Sequence, residues 1–306
     1  MTQLNAPISV IITTHNGSSF IDEQIESILS QTLAPAEIIV CDDDSTDNTI
    51  DHLQKWEQLG KLRLIRNPQA LGVAENFKKA VGLANPHHFI ALSDQDDVWL
   101  PQKLAICWNK MKEFDDLSHP SLVYSDLSLV NRNLEMINPS FQNELGIHKF
   151  EHCFDTALYG CLVLGCTTLF NPALRNLFVE MPNNKPYYHD AWLSLIAFGW
   201  GNCAGIQEPL VMYRQHETNL TIADHLKKNR SSKILAHLKA ILTHSNYLNQ
   251  ELVLAQDFSD CYFDKLSPAK QITLNSFLSL KATSHLQKKW AFEKTFFPHW
   301  LNRFSK

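Results

Sequence analysis

Five short apolar runs separated by amphipathic stretches fill residues 7–126, and this alternation restricts the chain to a small set of architectures. "ISVIITT" precedes a stretch with Ile21, Ile25, Ile28 and Leu29 on one helical face, and "AEIIVC" precedes a helix predicted to open at Ser45 or Thr46 and stop near Gly60. "LRLI", a helix over about 73–84, "HFIALSD", a helix carrying Leu104, Trp108 and Met111, and "SLVYSD" continue the rhythm. This order predicts an α/β fold with a doubly wound, mainly parallel sheet and helices on both faces. Ligands of such sheets sit beyond the carboxyl ends of the strands.

Two acidic clusters fall at those ends. "CDDDSTDNT" packs four aspartates into six positions after "EIIV", and "ALSDQDDVW" adds Asp94, Asp96 and Asp97. Like charges this close repel unless a cation, a hydrogen-bond donor or solvent compensates them. On an extended strand Asp94 and Asp96 project one way and Asp97 the other, and two converging carboxylates suit Mg2+ or Mn2+. Taken singly, each cluster also reads as a solvated turn or a helix cap. Together, at two strand ends of one sheet and each before a helix N-terminus, they predict a nucleoside-diphosphate site.

Residues 127–219 are less regular and carry "TTLF", a helix around "HDAWLSLIAFGWG" and "EPLVMYRQHETN". Beyond Thr221 a helical pattern follows, with Leu226, Ile234, Leu238, Ile241 and Leu242 among lysines. Residues 1–219 hold 14 Lys+Arg and 26 Asp+Glu, whereas residues 220–306 hold 13 and 6, so a boundary near 220 separates an acidic part from a basic one. Seven cysteines without a C-x-x-C pair argue against a disulfide framework and structural zinc, which fits a reducing cytosol. No secretory leader is read at the N-terminus, and the longest apolar stretches fall short of the roughly 18 residues that span a bilayer.

"ISVIITTHNG", "IIVCDDDSTDNT", "NPQALGVAENF", "ALSDQDDVWLPQKL" and "YYHDAWLSL", in this order, resemble the family 2 glycosyltransferases of GT-A fold. The resemblance covers about residues 7–216 and is closest to the bacterial rhamnosyltransferase-like branch. It implies inverting transfer of a sugar from a nucleoside-diphosphate donor with a divalent metal. Residues 1–219 become the catalytic domain, with its nucleotide-binding part at about 1–126 and its acceptor part at 127–219, followed by a basic helical region over 220–306.

Carried over by position, the resemblance places Thr14 and the segment His15-Asn16-Gly17 in the nucleotide-binding loop, and Asp42 or Asp43 on the base or ribose. Asp94 and Asp96 match the nucleotide and metal aspartates, with Asp96 the direct metal ligand, while Asp97 holds a hydroxyl or supports the loop. Gly72 and Asn76 lie near the nucleotide, and Asp190 is the base that takes the acceptor proton. His216 is a further metal ligand or diphosphate contact, and Arg214 a phosphate partner. The plainer alternatives are that His189 or Asp190 caps its helix and that His216 is structural. Asp44 stands where the family's commoner pattern has glycine.

The tail "QKKWAFEKTFFPHWLNRFSK" mixes lysines and arginine with aromatics, the composition of an interfacial segment on anionic lipid, unless its aromatics pack back on the domain. Nucleic acid is a poor partner for the acidic part, and no recognition motif is present. The resemblance and the charge asymmetry together imply a cytoplasmic enzyme, peripheral on the inner face of the membrane. It would move a sugar, rhamnose in the branch's case, from a dTDP- or UDP-linked donor to a saccharide or lipid-linked acceptor of bacterial surface polysaccharide or lipopolysaccharide. A nucleotidyltransferase is the first rival, although "TTHNGSSF" lacks the basic residue of its phosphate loop. A receiver-like module is far shorter, and a non-catalytic nucleotide-sugar binder would have no use for the "HD" segment.

Overall fold

The computed structural model describes residues 6–146, 151–160, 163–216 and 248–296. Strands β1 (Ala6–Thr14), β2 (Pro35–Asp42), β3 (Arg63–Arg66) and β4 (Phe89–Ser93) alternate with helices α1 (Ile21–Leu29), α2 (Thr49–Gln58) and α3 (Val73–Gly82). The strands pair in parallel in the order β3-β2-β1-β4. β1, β2 and β4 read as largely apolar runs because both faces are covered, whereas the edge strand β3 begins and ends on an exposed arginine. Ile8, Val10 and Ile12 of β1 join one core with α1, while Ile11 joins the other with Phe77, Ala80 and Val81 of α3. Ile21, Ile25 and Ile28 are buried as the helical period requires, whereas Leu29 is 36% exposed.

Further on come β5 (Val98–Trp99), α4 (Lys103–Met111), β6 (Ser121–Val130), β7 (Met136–Asn138), α5 (Phe141–Leu145) and α6 (Phe154–Ala157). β8 (Thr168–Phe170), α7 (Pro172–Phe178), α8 (His189–Trp200) and β9 (Asn202–Arg214) complete the sheet, ordered β3-β2-β1-β4-β8-β6-β9-β5. β8 runs antiparallel to both β4 and β6, and β5 runs antiparallel to β9. The sheet is therefore mixed, with its parallel half confined to the N-terminal strands and the β6–β9 pair. β6 is buried along its whole length, and its one charged residue, Asp126, accepts from Ser140 Oγ at 2.5 Å and Gln142 N at 3.1 Å.

α2 starts at Thr49, not at Ser45 or Thr46. The hydroxyls expected to cap it are taken: Ser45 Oγ donates to Asp42 at 2.5 Å, and Thr46 bonds Asn16 Oδ1. Helices α9 (Asn249–Tyr262), α10 (Pro268–Ser279) and α11 (His285–Phe296) follow the sheet. Leu252, Ala255, Phe258, Tyr262, Leu274 and Phe277 share one core with Trp192, Leu193 and Ile196 of α8, so the change in composition near 220 does not separate two cores. The expected helical series from Leu226 to Leu242 lies outside the described residues.

Candidate active site

The loops after β1, β2 and β4 meet at the carboxyl edge of the sheet. Thr14 Oγ1 donates to Asp42 Oδ2 at 2.8 Å, and Ser45 N donates to Asp42 Oδ1 at 3.0 Å, leaving Asp42 1% exposed. Asp42 thus braces the loop from within, and Asp43 is likewise buried. Asp43 in turn shapes the neighbouring loop. Its carboxylate accepts from Asn67 Nδ2 at 2.8 Å, Leu71 N at 2.7 Å and Gly72 N at 2.8 Å. Gly72 has φ 86°, a conformation that suits a residue without Cβ. Asn76, expected near the nucleotide, is buried and bonds Asn67 and the Cys41 carbonyl, so it acts through that loop.

Asn16 is exposed at φ 52°, and its Oδ1 accepts from Thr46 N at 2.8 Å. Asp44 is also exposed, at φ 63°, so it occupies the left-handed backbone that glycine favours and that Asp tolerates. Gln95 ties the first loop to the aspartate loop. Its Oε1 accepts from His15 N at 2.9 Å and its Nε2 donates to His15 O at 3.1 Å. A Cβ on Gly17 would lie 2.2 Å from Gln95 Oε1, so a larger residue there would displace the Gln95 amide.

The expectation that Asp94 and Asp96 alternate with Asp97 along a strand is corrected, because β4 ends at Ser93 and the chain bends over the next residues. Ligand atoms of Asp94, Asp97 and Cys166 lie within 4.8 Å of one another. Asp96 instead meets His216, with 2.7 Å between Oδ2 and Nε2, and the His216 ring stacks on Phe20 at 4.9 Å. Burial, then the charges of Asp96 and Asp190, push Asp94 up to about 7. Burial and the charges of Asp96 and Asp94 hold Asp97 well above the usual carboxyl range. Asp97 is buried, accepts from Arg214 N at 3.2 Å, and keeps an Oδ2 without a hydrogen-bond partner among the described residues. It supports the loop from within.

Arg214 does not fit the role of phosphate partner. It is 2% exposed, and its guanidinium donates to the Asp96 carbonyl at 2.8 Å, the Arg132 carbonyl and Glu23, and lies 4.6 Å from the Phe20 ring. Its planar fork is spent on fastening β9 to the aspartate loop and α1.

The N-cap residue of α8, Tyr188, makes no side-chain capping hydrogen bond, and His189 and Asp190 stand inside the first turn. Asp190 sits in the first turn of α8, where a negative charge is favoured, close enough to Asp94 to raise its pKa. His189 is buried and stacked 4.1 Å from Phe77, and burial alone lowers its pKa to about 3. It is a neutral core residue at physiological pH.

The donor set fits a hard divalent cation at Asp96 and His216, where carboxylate and imidazole atoms converge. Cys166 fits poorly as a ligand, since burial first, then Asp97 and Asp94, hold its thiol well above its ordinary pKa. Lys103 lies fully buried beneath the loop, 3.6 Å from the Trp99 ring centroid, and burial lowers its pKa despite the nearby Asp97. Sequence reasoning passed over Gln95, Phe20, Glu23, Cys166 and Lys103. Gln95 and Lys103 lie inside "ALSDQDDVWLPQKL" and so had a local signal.

A parallel βα half with an aspartate loop at its carboxyl edge, joined through a mixed sheet to a helix-borne carboxylate, defines a glycosyltransferase of GT-A fold. The chain belongs to glycosyl transferase family 2, whose family model matches residues 9–178. It is 32% identical over 194 residues to the UDP-Glc:alpha-D-GlcNAc-diphosphoundecaprenol beta-1,3-glucosyltransferase WfgD of Escherichia coli, covering 62% of this chain and 69% of that one. It is 28% identical over 227 residues to the dTDP-rhamnosyl transferase RfbG of Shigella flexneri, covering 68% and 72%. The mannosyltransferase PcManGT of Pyrobaculum calidifontis, solved with GDP-Man and Mn2+, shares the fold with a TM-score of 0.51, at 18% identity over 98% of this chain and 84% of that one.

Proposed function

We propose that this glycosyltransferase is metal-dependent and inverting, and that it moves a sugar from a UDP- or dTDP-linked donor to a lipid-linked saccharide in bacterial surface-polysaccharide synthesis. The reading is supported by the aspartate loop, where Asp96 Oδ2 meets His216 Nε2 at 2.7 Å and Asp94 lies close to Asp97, and the charge of Asp190 as one cause of the raised Asp94 pKa is in keeping with a base nearby. Thr14, Asn16 and Asp43 line the loops that would take the base and ribose, with Gly72 behind them. Asp190 accepts the proton of the acceptor hydroxyl, whose oxygen bonds to the anomeric carbon as the bond to the diphosphate breaks on the opposite side. A divalent ion held by Asp96 and His216 would supply positive charge for the departing diphosphate.

The two relatives' names support the donor bases and, for WfgD, a diphosphoundecaprenol-linked acceptor. A lipid-linked acceptor makes contact with the inner face of the membrane useful. No helix among the described residues is long and apolar enough to cross a bilayer. Leu286 and Trp290 of α11 are 70% and 57% exposed beside Lys294, while Phe292 and Phe296 pack on Tyr159, so part of the tail's aromatic surface is offered outward and part turns inward. Residues 297–306 lie outside the described residues.

A thermal-shift panel of UDP-, dTDP- and GDP-sugars with and without Mn2+ tests the donor site. One nucleotide should raise the melting temperature only with metal. Asp190→Asn should abolish transfer and keep that shift, whereas Asp96→Ala should lose both. Equal, mild losses of activity in both variants would refute these roles. Liposome flotation of the full chain and of Trp290→Asp tests the membrane contact, and equal flotation would argue against it.

A further inference from the structure

The helix that carries Asp190 is gripped at both ends by the helices that follow the sheet. At its entry, Asp257 of α9 accepts from Lys185 Nζ at 2.9 Å through Oδ1 and from Tyr187 Oη at 3.0 Å through Oδ2. These two residues lead directly into α8. At its exit, Lys270 of α10 donates to the Phe198 and Gly199 carbonyls at 2.9 and 2.8 Å, placing a cation where the helix dipole is negative. Between the ends, Trp192 packs against Phe258 and Tyr262 of α9. A Cβ on Gly199 would come within 3.2 Å of Phe258, which marks the closeness of the approach. Tyr262 Oη also donates to Glu180 at 2.7 Å, fastening the start of the connection that ends at Asp190.

We infer that α9 and α10 form a positioning clamp for the base, with Asp257 its principal positioning residue; the inference rests on the reading of Asp190 as base. Asp257 is far from the reacting atoms in sequence and in role. Its two hydrogen bonds fix the direction in which residues 185–188 enter α8, and so where the first turn holds the Asp190 carboxylate. Misplacing a catalytic group by about 1 Å costs roughly a hundredfold in rate while leaving donor contacts intact. The basic C-terminal region would then serve catalysis through the helix it grips.

The test uses the full chain and three proteins: wild type, Asp257→Asn and Tyr187→Phe. Amide hydrogen exchange is read over residues 185–193, and turnover as nucleoside diphosphate released when UDP-glucose, dTDP-rhamnose or GDP-mannose is supplied singly with Mn2+ and a diphosphoundecaprenol-linked N-acetylglucosamine acceptor. Asp257→Asn should speed exchange over residues 185–193 and lower kcat about tenfold or more with KM for the donor unchanged. Tyr187→Phe, which keeps its ring against Trp192, should lower kcat about threefold. Unchanged exchange in Asp257→Asn overturns the clamp, and so does faster exchange with unchanged kcat. Full turnover in Asp190→Asn would instead overturn the base assignment, and the positioning claim with it.

Discussion

His189 lets the burial of the base's neighbour be measured as a dependence of stability on pH. Its ring lies between Phe77 and Phe178, and neither ring nitrogen finds a hydrogen-bond partner among the described residues. Burial takes its pKa from 6.5 to about 3. As pH falls below 6.5 the unfolded chain binds a proton at this residue that the native protein refuses until about 3, so the contribution is full above 6.5 and is lost on acidification through this window. The slope approaches about 1.4 kcal/mol per pH unit, and the loss between pH 7 and pH 5 is about 2 kcal/mol. Urea midpoints of the wild type and His189→Leu at pH 7, 6 and 5 check this. The variant is less stable at pH 7 through lost packing, but its stability should fall less steeply, because every other group titrates in both proteins. Parallel slopes would mean that His189 takes up its proton in the folded state and would refute the reading.

Three further outcomes follow from the geometry. Gly201→Ala places a Cβ 2.2 Å from the Pro120 carbonyl oxygen, a backbone atom that cannot swing away, and should cost about 2 kcal/mol or more in urea unfolding; a loss under about 0.5 kcal/mol would show that this junction yields. Gln95→Ala removes both bonds to the His15 backbone and should weaken nucleotide-sugar binding about threefold to tenfold with little change in melting temperature, read by calorimetric titration; unchanged affinity would show that the two loops hold their places without it. Chelation with EDTA should abolish nucleoside-diphosphate release, and Mn2+ should restore it; persistent release would rule out the metal at Asp96 and His216.

The strands and the buried face of α1 were legible because parallel strands covered on both sides leave continuous apolar runs, and because Ile21, Ile25 and Ile28 keep the helical period. The start of α2 was not, since hydroxyls that suit a cap also suit a loop, and only the folded chain shows that Asp42 and Asn16 claim them. Arg214 was misread for a related reason. Its partners Arg132 and Glu23 lie 82 and 191 positions away, beyond any local pattern. The C-terminal region's charge suggested a separate task, but charge reports on surface, and the same residues send Phe258, Tyr262 and Phe277 into the core of α8.

The two acidic clusters look alike in sequence and differ in how their repulsion is relieved. In the first, donors within the protein suffice. Asp42 takes Thr14 and Ser45, and Asp43 takes Asn67 and two backbone amides. Partial burial would raise Asp47, but hydrogen bonds from Thr49 and Ser18 together outweigh it and bring Asp47 down to about 2, while Asp44 stays in solvent. That cluster shapes loops, so the cation its charges called for is not required there. The second cluster is left short of donors. Asp97 Oδ2 has no hydrogen-bond partner among the described residues, and Asp94 is pushed up by burial and by two neighbouring carboxylates. A bound cation would relieve this second group where it would relieve little in the first. The first cluster's repulsion is thus relieved within the protein, and the second, with His216 following β9, is where a cation has a physical reason to bind.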